Sequence, residues 1–286
     1  MRIIVIPTDF SANAFNALNC AFQYFKYEKC RFIIVHAYGY ENHNLATSDA
    51  SDDWENHKKA ALKQSEAQLQ KIIKEIKATG PNPQHAFETT AVLGYLVDVV
   101  NELVDQENAD LVVMGTQGKT TDRNIALGSN TIQVLKFVQC PVLGIPLDYV
   151  YERPAQILFP SNLLIPFHKR ELKLISRLAE SYRAATHLLY IANFDVLSER
   201  QQEIKDFWES RFRESEIKYH RSDEGNHTFI IKEYVDLKNI NLLVMINSNY
   251  SFLESIIQTS TVDEIGLSLK IPFLILQNTP RQQQPT

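Results

Sequence analysis

Residues 3–22 read IIVIPTDFSANAFNALNCAF, a short apolar run that leads directly into a helical pattern. The run Ile3–Ile6 is apolar on both sides, which is typical of a strand inside a parallel sheet. Between Ser11 and Tyr27 the apolar residues recur at helical spacing and predict an amphipathic helix. A strand followed at once by a helix is the building unit of α/β domains.

This unit repeats along the first half of the chain. Further strands are predicted at 32–35, 85–92, 111–114 and 142–145, and further helices at 54–78, 95–106 and 130–138. Parallel strands need long crossover connections, which are usually helices. The alternation therefore predicts a doubly wound, five-stranded parallel sheet in the order 3-2-1-4-5, with helices on both faces.

The second half repeats the order of the first. Strands are predicted at 157–160, 188–191, 217–220, 242–245 and 273–276, and helices at 170–182 and 198–213. The run LLVM at 242–245 matches LVVM at 111–114. We therefore predict an α/β protein of two tandem doubly wound domains, residues 1–148 and 149–278, followed by a disordered tail at 279–286. The polar stretch 38–53 occurs only in the first half and predicts a mobile loop.

Composition excludes several classes of function. The chain has 286 residues, 44% of them hydrophobic, and a formal net charge of −5. This mild acidity favours neither nucleic acid nor an anionic membrane surface as a partner. The cysteines Cys20, Cys30 and Cys140 are odd in number and scattered, which favours a reducing compartment over disulfides or zinc. Because neither a signal peptide nor a membrane span is predicted, we expect a cytoplasmic protein.

A glycine motif follows the fourth predicted strand. It runs from Met114 and Gly115 through Gly118 to Gly128, with the spacing Gly-x2-Gly-x9-Gly-Ser. Glycines after a strand let backbone amides approach a ligand closely. Gly128-Ser129-Asn130-Thr131 opens a helix, whose N-terminal amides and dipole favour phosphate oxygens. The hydroxyls of Ser129 and Thr131 add possible side-chain donors.

A second motif, Pro7-Thr8-Asp9, follows the first strand. In doubly wound sheets ligands bind at the carboxyl ends of the strands where the winding reverses, here between strands one and four. We therefore expect Asp9 and Gly115 to flank one crevice. The Asp9 carboxylate would accept from an adenine amino group or a ribose hydroxyl and would repel phosphate. Alternatively, Asp9 is only the N-cap of the helix that begins near Ser11.

Together these motifs resemble those of the universal stress protein family, in which Pro-x-Asp ends the first strand and the glycine motif binds ATP. The resemblance implies that ATP is the ligand, with ADP or AMP and an accompanying Mg²⁺ left open. It also implies that residues of these motifs contact the nucleoside, the ribose or the phosphates of the nucleotide. The residues predicted to bind the nucleotide are Pro7, Thr8, Asp9, Ala37, Met114, Gly115, Gly118, Gly128, Ser129, Asn130 and Thr131.

The second half departs from this pattern. At the matching positions Gly115, Gly118 and Gly128 are replaced by Ile246, Asn249 and Thr259, while Ser129 is matched by Ser260. Pro160-Ser161-Asn162 replaces Pro7-Thr8-Asp9, which exchanges the carboxylate for an amide. We therefore predict one nucleotide site per chain, in the first domain.

Three functional hypotheses remain open at this point. The first is an ATP-binding regulatory or stress-response protein. The second is an enzyme that hydrolyses nucleotide slowly, although no catalytic base is evident. The third is a structural or interaction protein with a vestigial site. His36 is interpreted as structural, and Lys119 and Arg123 as solvated loop residues. No metal-ligand spacing is evident.

The resemblance also implies how the two domains meet. Single-domain relatives in the family pair through their fifth strands. We therefore expect residues 142–146 to pair with 273–277 inside one chain, as a pseudo-dimer, which leaves no exposed sheet edge there. Dimerisation of whole chains is left open.

Overall fold

The computed structural model describes residues 1–39, 52–78, 80–118, 127–192, 196–212, 214–223, 225–247 and 270–277. Most of the predicted loop 38–53 and the predicted tail 279–286 lie outside this part. Ten strands in the described residues form one sheet, in the order β3-β2-β1-β4-β5-β10-β9-β6-β7-β8. The strands are β1 (Arg2–Pro7), β2 (Cys30–Tyr38), β3 (His85–Leu93), β4 (Leu111–Gly115), β5 (Val142–Ile145), β6 (Gln156–Ser161), β7 (Ala185–Ile191), β8 (Ile217–Ser222), β9 (Leu242–Asn247) and β10 (Phe273–Gln277).

In the described residues, helices connect most of the successive strands. They are α1 (Ala12–Tyr24), α2 (Asp52–Ala78), α3 (Leu96–Gln106), α4 (Ser129–Phe137), α5 (Lys169–Tyr182), α6 (Glu199–Glu209) and α7 (His227–Lys238). Helix α7 was not predicted from the sequence, since its large apolar residues do not all lie on one face. Ile231 and Tyr234 are buried, whereas Phe229 and Leu237 are exposed. None of the described helices has the length and apolar character needed to cross a membrane.

The order of strands confirms the predicted fold class. Each half of the sheet reads 3-2-1-4-5, and the pairs within each half are parallel. The strand register also relates the two halves. Ile4 pairs with Leu111 in the first half, and Ile157 pairs with Leu242 in the second. Gly115 and Ile246 therefore occupy equivalent positions at the ends of β4 and β9.

Two apolar cores cover the two faces of the sheet and run through both halves. One contains Ile4 and Ile157 with residues of α1, α2, α5 and α6. The other contains Val5 and Leu158 with residues of α3, α4 and α7. Successive residues of a strand point to opposite faces, so a strand buried on both sides is apolar throughout.

The two halves join edge to edge at β5 and β10, as predicted. These strands are antiparallel, with Phe273 opposite Gly144, Leu274 opposite Leu143 and Ile275 opposite Val142. A Cβ atom on Gly144 would lie 2.5 Å from the nearest ring atom of Phe273. Glycine at this position therefore makes room for the aromatic ring of the other half.

Candidate functional site

The turn after β1 is held by its own polar side chains. The Thr8 Oγ1 atom accepts a hydrogen bond from the amide of Phe10 at 3.0 Å, and Asp9 Oδ1 accepts from the amide of Ser11 at 2.9 Å. Phe10 has a φ of 61°, a left-handed conformation that is uncommon for residues other than glycine. These bonds fix the Asp9 carboxylate at the carboxyl edge of the sheet.

Ser11, and not Asp9, is the N-cap of α1. Its side chain accepts from the amide of Ala14 at 3.1 Å, the usual capping bond. The alternative interpretation of Asp9 as the N-cap is therefore wrong. The carboxylate instead shapes the turn that leads into the capped helix.

The loop after β4 approaches this carboxylate closely. A Cβ atom on Gly118 would lie 3.0 Å from Asp9 Oδ2, tighter than an ordinary contact. A larger residue at Gly118 would therefore push against the carboxylate. The two motifs, which lie more than a hundred residues apart in sequence, meet at this point.

Gly115 is explained by packing rather than by access for a ligand. A Cβ atom there would lie 2.6 Å from Asn13 Nδ2 and 3.1 Å from the carbonyl carbon of Asn13. The Asn13 side chain is buried and donates from Nδ2 to the carbonyl of Gln117 at 3.2 Å. Because α1 lies against the end of β4, any side chain at Gly115 would collide with that helix.

The start of α4 also differs in detail from the prediction. The Gly128 amide already donates to the carbonyl of Thr116 at 2.8 Å, so it is not available as the expected phosphate donor. The Thr131 hydroxyl is likewise bonded to the carbonyls of Gly115 and Thr116, at 3.2 and 3.0 Å. Both residues therefore anchor α4 to the end of β4.

Ser129 and Asn130 remain at the N-terminus of α4 as lining residues. The helix's own hydrogen bonding begins with the Ile132 amide, which donates to the carbonyl of Gly128 at 3.0 Å. The first turn of α4 thus presents the positive end of the helix dipole to the space beside it.

These elements surround one cleft of about 510 Å³. It is lined by Pro7, Thr8, Asp9, Ala14, His36, Ala37, Gly94, Tyr95, Leu96, Met114, Gly115, Gln117, Gly118, Ser129, Asn130, Thr131 and Gln133. All the predicted binding residues except Gly128 are among them. Lys119 and Arg123 lie outside the described residues.

Gly94, Tyr95 and Leu96 also line the cleft, although they were not predicted as site residues from the sequence. They directly follow β3, and β3 pairs with β2 up to Tyr38 and Leu93. The rule that ligands bind beyond the carboxyl ends of strands would have found them, had it been applied to the third strand as well.

His36 is held by the turn that contains Asp9. Its Nδ1 atom is 2.7 Å from the carbonyl oxygen of Thr8, and its ring packs against Phe10 at 4.4 Å. A carbonyl can only accept, so Nδ1 carries the proton of this bond. These contacts agree with the structural role expected of His36, although the residue also lines the cleft.

Among the described residues that line the cleft, few side chains are charged. Within the described residues, no group of three or more His, Cys, Asp and Glu side chains is arranged to hold a metal ion. Asp9 is the carboxylate among the lining residues. The arrangement suits a ligand with polar groups near Asp9 and an anionic group near the start of α4.

The second half copies the turn but not its surroundings. Ser161 Oγ accepts from the amide of Leu163, and Asn162 Oδ1 accepts from that of Leu164, at 2.9 and 3.1 Å. Leu163 has a φ of 56°, close to that of Phe10. The duplicated geometry shows that an amide can replace the carboxylate in this turn.

In the second half, the side chain of Gln201 connects residues that correspond to lining residues of the cleft. Strand register places Tyr190 beside Ser161, the position that His36 holds beside Thr8. The Gln201 Nε2 atom donates to the carbonyl of Asn162 at 2.9 Å and lies 3.3 Å from the Tyr190 hydroxyl. Gln201 is itself buried. It thus links two positions whose counterparts in the first half line the cleft.

Comparisons with known proteins agree with this architecture. The sequence model of the universal stress protein family matches residues 1–146. A universal stress protein of Methanocaldococcus jannaschii is 29% identical over 140 residues, which are 49% of this chain and 79% of that relative. A crystal structure of a universal stress protein from Archaeoglobus fulgidus aligns over 96% of both chains, with a TM-score of 0.67 and 16% identity. A functionally unknown protein from Pseudomonas aeruginosa aligns over 97% of this chain and 92% of its own, with a TM-score of 0.60 and 13% identity. The two structures share the fold across both halves.

Proposed function

The chain belongs to the universal stress protein family, and from that premise we propose that it is an ATP-binding regulatory protein of the stress response. The nucleotide would bind in the first half, residues 1–148, and the second half, residues 149–278, would act as a partner domain without a nucleotide. The protein would act through the conformation and contacts that the nucleotide stabilises, since a ligand that binds only the folded state raises stability by mass action.

The observation that carries this proposal is the convergence of two motifs on one cleft. Pro7, Thr8 and Asp9 reach it from β1, and Gly115, Gly118 and the first turn of α4 reach it from β4. Its volume of about 510 Å³ lies within the range of small-molecule sites. The same edge of the sheet therefore offers a carboxylate and a helix N-terminus to a single ligand.

The residues present fit an adenine nucleotide. The Asp9 carboxylate would accept a hydrogen bond from a ribose hydroxyl or the adenine amino group, and its Oδ1 also accepts from the Ser11 amide. Ala37 and Met114 line the same cleft and would provide the apolar contact for the base or sugar. Ser129 and Asn130 would hold the phosphates at the start of α4. ADP or AMP would fit the same set with fewer phosphate contacts, and Mg²⁺ would enter with the phosphates.

The second half supports a single site per chain. Ile246 stands where Gly115 allows α1 to approach, and Ile191 follows Tyr190 where Ala37 follows His36. Gln201 binds the Asn162 carbonyl at this edge. Larger side chains and an internal hydrogen bond thus replace the small residues of the first half.

Turnover of the nucleotide would be slow. His36 donates through Nδ1 to the Thr8 carbonyl, and one oxygen of Asp9 accepts from a backbone amide. These bonds hold both groups in the turn that shapes the cleft. A general base must lie within hydrogen-bond reach of the attacking water. Because the phosphates would bind at the start of α4 rather than beside Asp9, we expect neither group to reach that water.

An exchange between the two turns tests the proposal. Asp9→Asn keeps the turn, because Asn162 makes the same bond in the second half, but it removes the charge. We expect ATP affinity, measured by isothermal titration calorimetry on the full chain, to fall about tenfold when a charged acceptor is lost. Asn162→Asp is the matched control and should leave the affinity unchanged.

Two results would contradict the proposal. If wild-type protein binds no adenine nucleotide at millimolar concentration, the vestigial-site hypothesis is favoured instead. If both exchanges weaken binding equally, or neither does, the nucleotide does not bind beside Asp9. Thermal melting of each variant without nucleotide checks that the fold is intact.

A further inference from the structure

A second cavity lies between the two halves, at the amino ends of the strands and thus on the side of the sheet opposite the cleft. Its volume is about 410 Å³. Arg2 and Asp110 line it from the amino ends of β1 and β4, and Lys29 lies just before β2. The other wall is α5 of the second half, which contributes Lys173 and Arg177. The cavity therefore opens at the amino ends of the same two strands whose carboxyl ends form the cleft.

Both carboxylates that line the cavity are already neutralised. Glu28 lies 2.6 Å from the Arg2 guanidinium, and Asp110 lies 3.0 Å from that of Arg170. The Asp110 Oδ2 atom also accepts from the amide of Ile3 at 3.0 Å. Both carboxylates are thus paired with arginines, in bonds that hold the walls of the cavity together.

Three further cationic side chains line the cavity beyond these pairs. They are Lys29, Lys173 and Arg177, and in the described part of the chain no carboxylate lies within ion-pair distance of any of them. The cavity therefore has a local excess of positive charge, although the formal net charge of the whole chain is −5. Lys173 and Arg177 are four residues apart on α5, where like charges repel across one helical turn.

We propose that this cavity binds a small phosphate-containing anion that carries more than one negative charge. A guanidinium and two ammonium groups on the walls of one cavity suit several phosphate oxygens, because arginine binds them in a planar fork and lysine as a point charge. The anion would offset the repulsion between Lys173 and Arg177. It would also join the first half to α5, since each half supplies part of the wall.

Inorganic pyrophosphate is the probe, titrated calorimetrically into the full chain at low ionic strength. The double variant Lys173→Gln with Arg177→Gln removes two exposed charges from the wall of the cavity. We expect its affinity to fall about tenfold for each cation removed. The matched control, Lys232→Gln with Lys238→Gln, removes the same charge from exposed positions on α7 and should bind as wild type does.

A Gly118→Val variant separates this site from the nucleotide cleft. Its added side chain crowds Asp9, so it should impair binding in the cleft and leave pyrophosphate bound in the cavity. Raising the salt concentration should weaken pyrophosphate binding, because ions screen exposed charges. The proposal is overturned if wild type binds no pyrophosphate, if the α5 double variant binds within threefold of wild type, or if Gly118→Val abolishes binding.

Discussion

The contact between Gly144 and Phe273 is the sharpest test of how the two halves are joined. These residues lie opposite each other in the antiparallel pair of β5 and β10. A Cβ atom on Gly144 would lie 2.5, 2.7 and 3.0 Å from three atoms of the Phe273 ring. Non-bonded carbon atoms prefer separations of about 3.5–4.0 Å, so the added methyl group would overlap the ring by roughly 1 Å.

Relief of this overlap is difficult because both residues lie inside the sheet. Phe273 is only 1% exposed, and each of the two strands is paired on both sides. Overpacking of a well-filled core costs about 1–3 kcal/mol. We therefore expect Gly144→Ala to lower the free energy of unfolding by that amount, measured by urea denaturation followed by far-ultraviolet circular dichroism.

A second substitution should rescue the first. Phe273→Leu leaves a cavity and should destabilise the protein by roughly 1–2 kcal/mol on its own. In the Gly144→Ala background the methyl group would partly fill that space, so the double variant should be more stable than additivity predicts by about 1 kcal/mol.

Gly225→Ala is the control, because a Cβ atom there would meet Ile230 at an ordinary 3.5 Å. A Gly144→Ala variant as mild as this control would refute the predicted clash with Phe273. Simple additivity of the two substitutions at the interface would refute it as well.

Two further predictions concern buried titratable groups. His187 is buried between Tyr234 and Gln156, and burial lowers its pKa from 6.5 to about 4. The unfolded chain therefore binds a proton that the folded chain excludes, so stability should fall by up to about 3 kcal/mol as the pH drops from about 6.5 to about 4. His187→Gln should remove most of this pH dependence in urea denaturation and His227→Gln should not; an unchanged profile in the first variant would show that another group is responsible. Burial also raises the pKa of Cys20 to about 11 and that of Cys30 to about 12, and Cys140 is buried as well. The native protein should therefore resist thiol labelling near neutral pH and expose three reactive thiols when denatured, whereas rapid labelling of the native state would contradict the burial of these side chains.

The sequence by itself determined the fold class and the position of the candidate site. Runs apolar on both faces identify buried parallel strands, and the topology rule places the ends of β1 and β4 side by side. That is why Asp9 and Gly115, which lie far apart in sequence, could be predicted to flank one cleft, and both line it. The duplication was readable for the same reason, since LVVM at 111–114 and LLVM at 242–245 are local patterns.

Only the tertiary structure decided what each special residue is for. Gly115 makes room for Asn13, Gly144 makes room for Phe273, and the Gly128 amide is taken by a carbonyl of the preceding loop. The charged cavity likewise joins β1, β4 and α5, which no local pattern connects. Periodicity reports how a residue is oriented within its own element, whereas the neighbour it meets depends on where other elements pack, and that is a property of the whole fold.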